Sequence, residues 1–160
     1  MVKLFTVVTF SSRNLVILML GAAAACGGRP SVTVSPAPDA PEATVEQFLA
    51  AVRGADLGRM AELWGTERGP STVTNRSGPR ARQQQLTIMQ RLLQNDEHRV
   101  VRTETPQSQP SGRILHVELG RDGRRFVVPF TLVIARTGGW LITGIGLDAA
   151  IPPATGRNQP

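Results

Sequence analysis

A chain of 160 residues with 41% hydrophobic content has the length of one domain and the means to bury a core. Basic residues outnumber acidic ones 18 to 12, Arg supplying 17 of the 18, and a single Cys excludes an internal disulfide. Residues 1–25 hold Lys3 and Arg13 but no acid, so without them the net charge is +4, which attracts anionic surfaces loosely and specifies none.

Residues 1–25 read as an export signal. Lys3 and Arg13 carry positive charge, residues 15–20 form an apolar block, and Gly21 with the alanines at 22–25 follows. The uninterrupted run of 11 residues is too short to span a bilayer, which needs about 20. The competing reading is a short membrane anchor that is never cleaved.

Cys26 follows Ala23, Ala24 and Ala25 and precedes Gly27 and Gly28. A lone Cys in an exported chain needs a reason. This stretch resembles the bacterial lipobox, with Ala23 where that motif usually has Leu. The resemblance implies that Cys26 is acylated, by palmitate or a similar chain, and becomes the mature N-terminus. Each buried CH₂ contributes about 0.8 kcal/mol, so several chains hold a protein firmly to a membrane. Gly27 stands where many lipoproteins retained at the inner membrane carry Asp. The implied address is the cell envelope, on the periplasmic face of the outer membrane.

Residues 26–41 form a linker, with four prolines between 29 and 41. Such a segment extends by about 3.1 Å per residue. The folded part begins near Glu42. Val45, Phe48, Leu49 and Val52 recur at helical spacing, with Asp39 and Pro41 marking the start and Gly54 the end. Asp56 can cap a second helix that presents Leu57, Met60, Leu63 and Trp64. Residues 65–79 are rich in Gly, Ser, Thr and Pro and read as a loop. A third helix spans residues 80–94, with Leu86, Met89 and Leu93 on its stripe and Ile88 and Leu92 widening it. Gln83, Gln84 and Gln85 form its solvated face.

Residues 98–105 read as a strand centred on Val100 and Val101. After a loop at 106–112, residues 115–148 hold three apolar runs separated by Asp122-Gly123 and Gly138-Gly139. Asp-Gly between alternating runs signals a hairpin, because a type I′ turn needs positive φ at both central positions. In the middle run Phe126, Val128, Phe130, Leu132 and Ile134 share one face, which is expected to be buried. Residues 149–160 are expected to be a disordered tail.

Two short helices, a third helix and a four-strand antiparallel sheet make an α+β chain. Its first pair, Thr44-Val-Glu-Gln-Phe-Leu-Ala-Ala-Val-Arg-Gly-Ala-Asp-Leu-Gly-Arg-Met-Ala-Glu-Leu-Trp64, and its last strand, Gly139-Trp-Leu-Ile-Thr-Gly-Ile145, resemble the nuclear transport factor 2-like superfamily. The resemblance covers residues 42–148. It implies a cone-shaped, cystatin-like α+β roll, with three N-terminal helices packed on a curved four-strand sheet. That superfamily contains both enzymes and binding modules, so the fold leaves the function open.

Ketosteroid-isomerase-style members pair a carboxylate base with hydroxyl donors, commonly Tyr. This chain has no Tyr. Asp148 can line a cavity or cap a turn. No phosphate loop, HExxH, GxSxG or paired CxxC occurs. His116 and Glu118 share a strand face but lack further metal ligands, and that face is expected to meet solvent, as is His98. No cofactor or metal is therefore expected.

Two surfaces remain. Phe48, Trp64, Phe130 and Trp140 are expected to line an apolar pocket that opens beneath residues 65–79, with Trp64 either as its lid or floor or simply completing the core. Arg121, Arg124 and Arg125 are expected to cluster at the Asp122-Gly123 turn, with Arg113 near by on the adjoining strand, facing an anionic partner or solvent. Nucleic acid is not expected, since no exposed aromatics interleave with the basic residues.

The sequence thus reads as a lipid-anchored, exported protein with a non-catalytic ligand-binding or envelope-scaffolding role. Its partners would be the membrane, an apolar small molecule or an envelope protein, and a second copy through the sheet face. The alternative is a small cone-fold isomerase, dehydratase or hydrolase acting on an apolar substrate.

Overall fold

The structure, a computed structural model, describes residues 36–74 and 78–151. Cys26, the export signal and most of the linker lie outside the described residues, as does the tail from 152.

Helix α1 spans Pro41–Arg53. Pro41 enters at the first turn, where its missing N–H costs nothing, and Glu42 and Arg53 each sit at the end whose dipole they complement. Its N-cap is Ala40, which offers no side-chain bond, so Asp39 does not cap it. The chain then leaves Gly54 in a right-handed conformation and turns at Ala55, with φ of 52°. The left-handed position thus falls one residue later than the glycine suggests. Asp56 accepts the Arg59 N–H at 2.9 Å and caps α2, Leu57–Leu63.

Trp64 leaves α2 extended and forms a parallel bridge with Ile142. The expected loop at 65–79 holds more structure than its composition suggests. Strands β1 (Gly65–Thr66) and β2 (Gly69–Pro70) form a small hairpin, and a single turn, α3, covers Ser71–Thr74. The buried Ser71 hydroxyl donates to the Ala61 carbonyl at 2.8 Å, tying this turn to α2. Helix α4 runs over Gly78–Leu92 and buries Leu86 and Met89. Ile88 is 51% exposed and does not widen the buried stripe, because it lies about 200° around the helix from Leu86.

The main sheet comprises β3 (Glu97–Glu104), β4 (Arg113–Arg121), β5 (Arg124–Ile134) and β6 (Trp140–Ile145). Their order is β3-β4-β5-β6, antiparallel throughout. Asp122 and Gly123 have φ of 51° and 72°, the pattern a two-residue hairpin turn requires. The fold is therefore α+β, with helices on one side of a four-strand antiparallel sheet.

The core lies between that sheet and the helices. Leu115, Val117 and Leu119 of β4 and Val128, Phe130 and Leu132 of β5 are closed to solvent. They meet Phe48, Leu49 and Val52 of α1 and Met60 and Leu63 of α2. Phe48 and Phe130 touch edge to face, with ring centroids 6.4 Å apart at 73°.

The buried face of β5 ends sooner than its alternation suggests. Ile134 is 45% exposed, whereas Val133 and Leu141, on the opposite face, are buried. The cause is the β1–β2 hairpin, which covers the outer face at that end. The Arg136 N–H donates to the Glu67 carbonyl at 2.8 Å, and Gln109 donates to the Glu67 carboxylate at 2.6 Å.

The two edges of the sheet differ. On β6, the Trp140 N–H donates to the Pro38 carbonyl at 2.8 Å, and Trp64 bridges Ile142. Gly139 makes this contact feasible, since a Cβ there would sit 2.6 Å from the Ala37 carbonyl oxygen. The last residues of the linker are thus docked on the sheet. On β3 the edge is open, and Val100 and Val101 are 38% and 44% exposed. An extra residue, Val101, bulges from β3, and a second irregularity at Thr143 leaves one additional residue in β6. Beyond β6, Leu147–Ala150 form a 3-10 helix in which Ala150 is buried. Residues 149 and 150 therefore belong to the fold and not to a disordered tail.

Because Phe48 is enclosed on all sides, Phe48→Ala is expected to cost about 3–5 kcal/mol, read from the denaturant midpoint at constant slope. A loss below about 1 kcal/mol would contradict this account of the core.

Candidate functional site

The Asp122-Gly123 turn brings three of the four arginines together and gives each a different task. Arg121 reaches back to the end of α4, where its Nη1 lies 3.2 Å from the Leu92 carbonyl and 3.4 Å from that of Arg91. These carbonyls have no partner within the helix, and the helix dipole is negative there, so a cation is favoured. The same guanidinium lies 5.5 Å from the centre of the Phe126 ring. Arg125 points to the outer face and pairs with Glu97 at 3.0 Å and Glu118 at 3.3 Å. Glu118 also meets Arg99 at 3.2 Å. Arg124 is exposed and has no partner among the described residues.

A cleft of about 480 Å³ opens beside this turn. Its cationic side is Arg121, Arg124 and Arg125, with Asp122 among them. Its apolar side is Phe126 together with Ala149, Ala150 and Ile151, which the 3-10 helix and its end carry into place. The sequence did not reveal this floor, because the short run Ala149-Ala-Ile151 precedes two prolines and has no helical period.

Arg113 does not join the cluster. It lies eight residues from Arg121 in β4, at the far end of the strand, a separation of about 27 Å. There its guanidinium donates to the carbonyls of Gly112 at 2.6 Å and Pro110 at 3.1 Å and lies 5.8 Å from the centre of the Trp140 ring.

The four aromatics do not line a pocket. Phe48 and Phe130 are fully buried against each other, and Trp140 is 9% exposed at the core margin. Trp64 is half-buried and packs on the same cluster. Side chains fill the space that an apolar pocket would need. Near residues 65–79 there is instead a polar cleft of about 700 Å³, on the outer side, with Glu67, Arg68, Gln109 and Arg136 in its walls.

His116 and Glu118 share the outer face but point to different partners. His116 Nε2 lies 3.1 Å from Glu104 Oε1, both atoms being shielded from solvent, and Arg102 also contacts that carboxylate. Among the described residues, no group of three or more His, Cys, Asp and Glu side chains is placed to hold a metal. Asp148 is exposed in the first turn of the 3-10 helix.

His98 sits where α1 ends against β3. Arg53 Nη1 lies 3.1 Å from His98 Nδ1 and 3.1 Å from Asn95 Oδ1. Guanidinium can only donate, so Nδ1 accepts and the imidazole proton is on Nε2. Burial, and then the Arg53 charge, hold His98 below the ordinary imidazole value, with Glu46 opposing them.

No protein-family model, curated protein or solved structure matches this chain.

Two measurements check this description. Arg121→Gln is expected to lower stability by about 1 kcal/mol, through lost helix-end and ring contacts, while Arg124→Gln stays within about 0.5 kcal/mol. Equal effects would show that the two arginines are not differently engaged. The second measurement concerns pH. Below about 6.5 the unfolded chain binds a proton on His98 more readily than the folded one does. The stability due to neutral His98 is therefore whole above that pH and is lost as pH falls through the lowered folded value. Denaturant midpoints between about pH 7.5 and 5.5 should fall more steeply for the parent than for His98→Asn. Parallel curves would refute the assignment.

Proposed function

We propose that this chain is an exported, lipid-anchored protein whose folded part is a nuclear transport factor 2-like domain with a non-catalytic ligand-binding or envelope-scaffolding role. The observation that carries the non-catalytic reading is the filled interior. A cone-fold isomerase, dehydratase or hydrolase would need room between helices and sheet for an apolar substrate. Here Phe48, Phe130, Leu115 and Leu132 are each 0% exposed in that space. Binding then belongs to the surface, at the arginine corner or on the outer sheet face, where Val127 is 42% exposed and would serve a second copy or an envelope partner.

The superfamily reading draws support from element order. Two short helices joined through Gly54-Ala-Asp56 precede α4, and the sheet then runs in sequence order. Bulges at Val101 and Thr143 bend and twist their strands, which favours the curved sheet of a cone-shaped roll. The short α3 is an addition to the three-helix plan.

Anchoring rests on Cys26 and its small neighbours. Growth with a fatty-acid analogue should label the protein, and Cys26→Ala should abolish the label and release the protein from the membrane fraction. Undiminished labelling of that variant would overturn the lipobox assignment.

A further inference from the structure

The arginine corner combines two chemistries on neighbouring walls. We propose that its cleft binds a singly charged anionic amphiphile, with the head on Arg124 and the chain along Phe126 and the floor of residues 149–151. This deepens the binding-module reading and rests on it.

Of the three arginines, Arg124 has no partner among the described residues and is exposed at the cleft. Arg121 is engaged by the α4 carbonyls and Phe126, and Arg125 by Glu97 and Glu118. These two hold the wall in position and add a positive field, while Arg124 can supply a paired, charge-assisted hydrogen bond to a carboxylate or phosphate oxygen. The charge of the head is limited by its neighbours. Asp122 lines the cleft, and Asp96 lies behind the turn, accepting the Asp122 N–H at 3.3 Å. A second negative charge on the ligand would meet these acids, so a monoanion is favoured over a dianion.

Among the described residues, the opposite wall has no charged group. Ala150 is buried, Ile151 is 52% exposed, and Phe126 is half-buried beneath Arg121. Water on such a floor is released when an alkyl chain covers it. A volume of about 480 Å³ is of the size that small-ligand sites occupy, about 300–1,000 Å³. A free amphiphile and an anionic lipid in a bilayer both present such a head; the chemistry recognised is the same.

The test uses the full chain in phosphatidylcholine nanodiscs and a photoreactive fatty acid whose cross-links are mapped by mass spectrometry. Cross-links are expected at Phe126 and residues 149–151, displaced by decanoate but not by decanol or decyltrimethylammonium. Arg124→Gln should weaken this labelling about tenfold without moving the melting temperature, since a charged hydrogen bond is lost and no packing changes. Ile151→Asp should weaken it comparably from the other wall. Asp122→Asn should improve competition by decyl phosphate relative to decanoate. Vesicles containing phosphatidylglycerol separate the two sources: competition as strong as that of decanoate indicates a bilayer lipid, and none indicates a free amphiphile. Labelling that decanol displaces equally, that Arg124→Gln leaves unchanged, or that maps elsewhere overturns the proposal. Labelling of Cys26 is read separately, so failure here is distinct from failure of the anchor.

Discussion

The rest of the structure depends on covering one apolar face, that of β4 and β5. Six residues on these two strands are closed to solvent there, and the Phe48 ring against Phe130 is the centre of the contact. A sheet with one face this apolar is unstable without a second layer. Residues of α1, α2 and α4 supply that layer. The same packing decides the character of the molecule, because side chains that meet edge to face leave no space between the layers.

The outer surface is organised by a different kind of force. Glu97, Arg99, Glu118 and Arg125 form a connected set of ion pairs across β3, β4 and β5, and Glu104 contacts both Arg102 and His116. Exposed pairs of this kind contribute roughly 0–1 kcal/mol each, so they do not hold the fold. The open edge of β3 carries charges of both signs and a bulge at Val101, features that discourage pairing with another strand. At β6 the same problem is met by covering the edge with Trp64 and with the segment around Pro38 that leads into α1.

Helix spacing and turn chemistry made most of this fold legible from sequence. Val45, Phe48, Leu49 and Val52 repeat with the period of a helix, and Asp122-Gly123 suits one kind of turn well. What stayed hidden depended on contacts between distant segments. Alternation placed Ile134 with Phe130, but it could not reveal that Glu67 would cover the opposite face. Spacing puts Phe48, Trp64, Phe130 and Trp140 on apolar faces, yet it cannot distinguish a filled interior from a hollow one. The arginines were visible as a group by composition alone. Their separate partners, a helix end for Arg121 and carboxylates for Arg125, lie 28 to 30 positions away or, for Glu118, across the β4–β5 hairpin. Arg113 was misplaced for a simpler reason: it opens the strand that Arg121 closes, and eight residues of extended chain carry it away from the turn.

The arm at residues 36–40 has a mechanical consequence. Tension applied to the chain ahead of Pro36 would reach the domain at the root of β6 before it reached the body of α1. The first parts to bear load are one backbone hydrogen bond, from Trp140 to Pro38, and the seat of Ala37 on Gly139. Both can yield while Phe48 and Phe130 remain in contact. The arm would then behave as a fuse, lengthening by about 3.3–3.6 Å for each residue freed while the core stays shut.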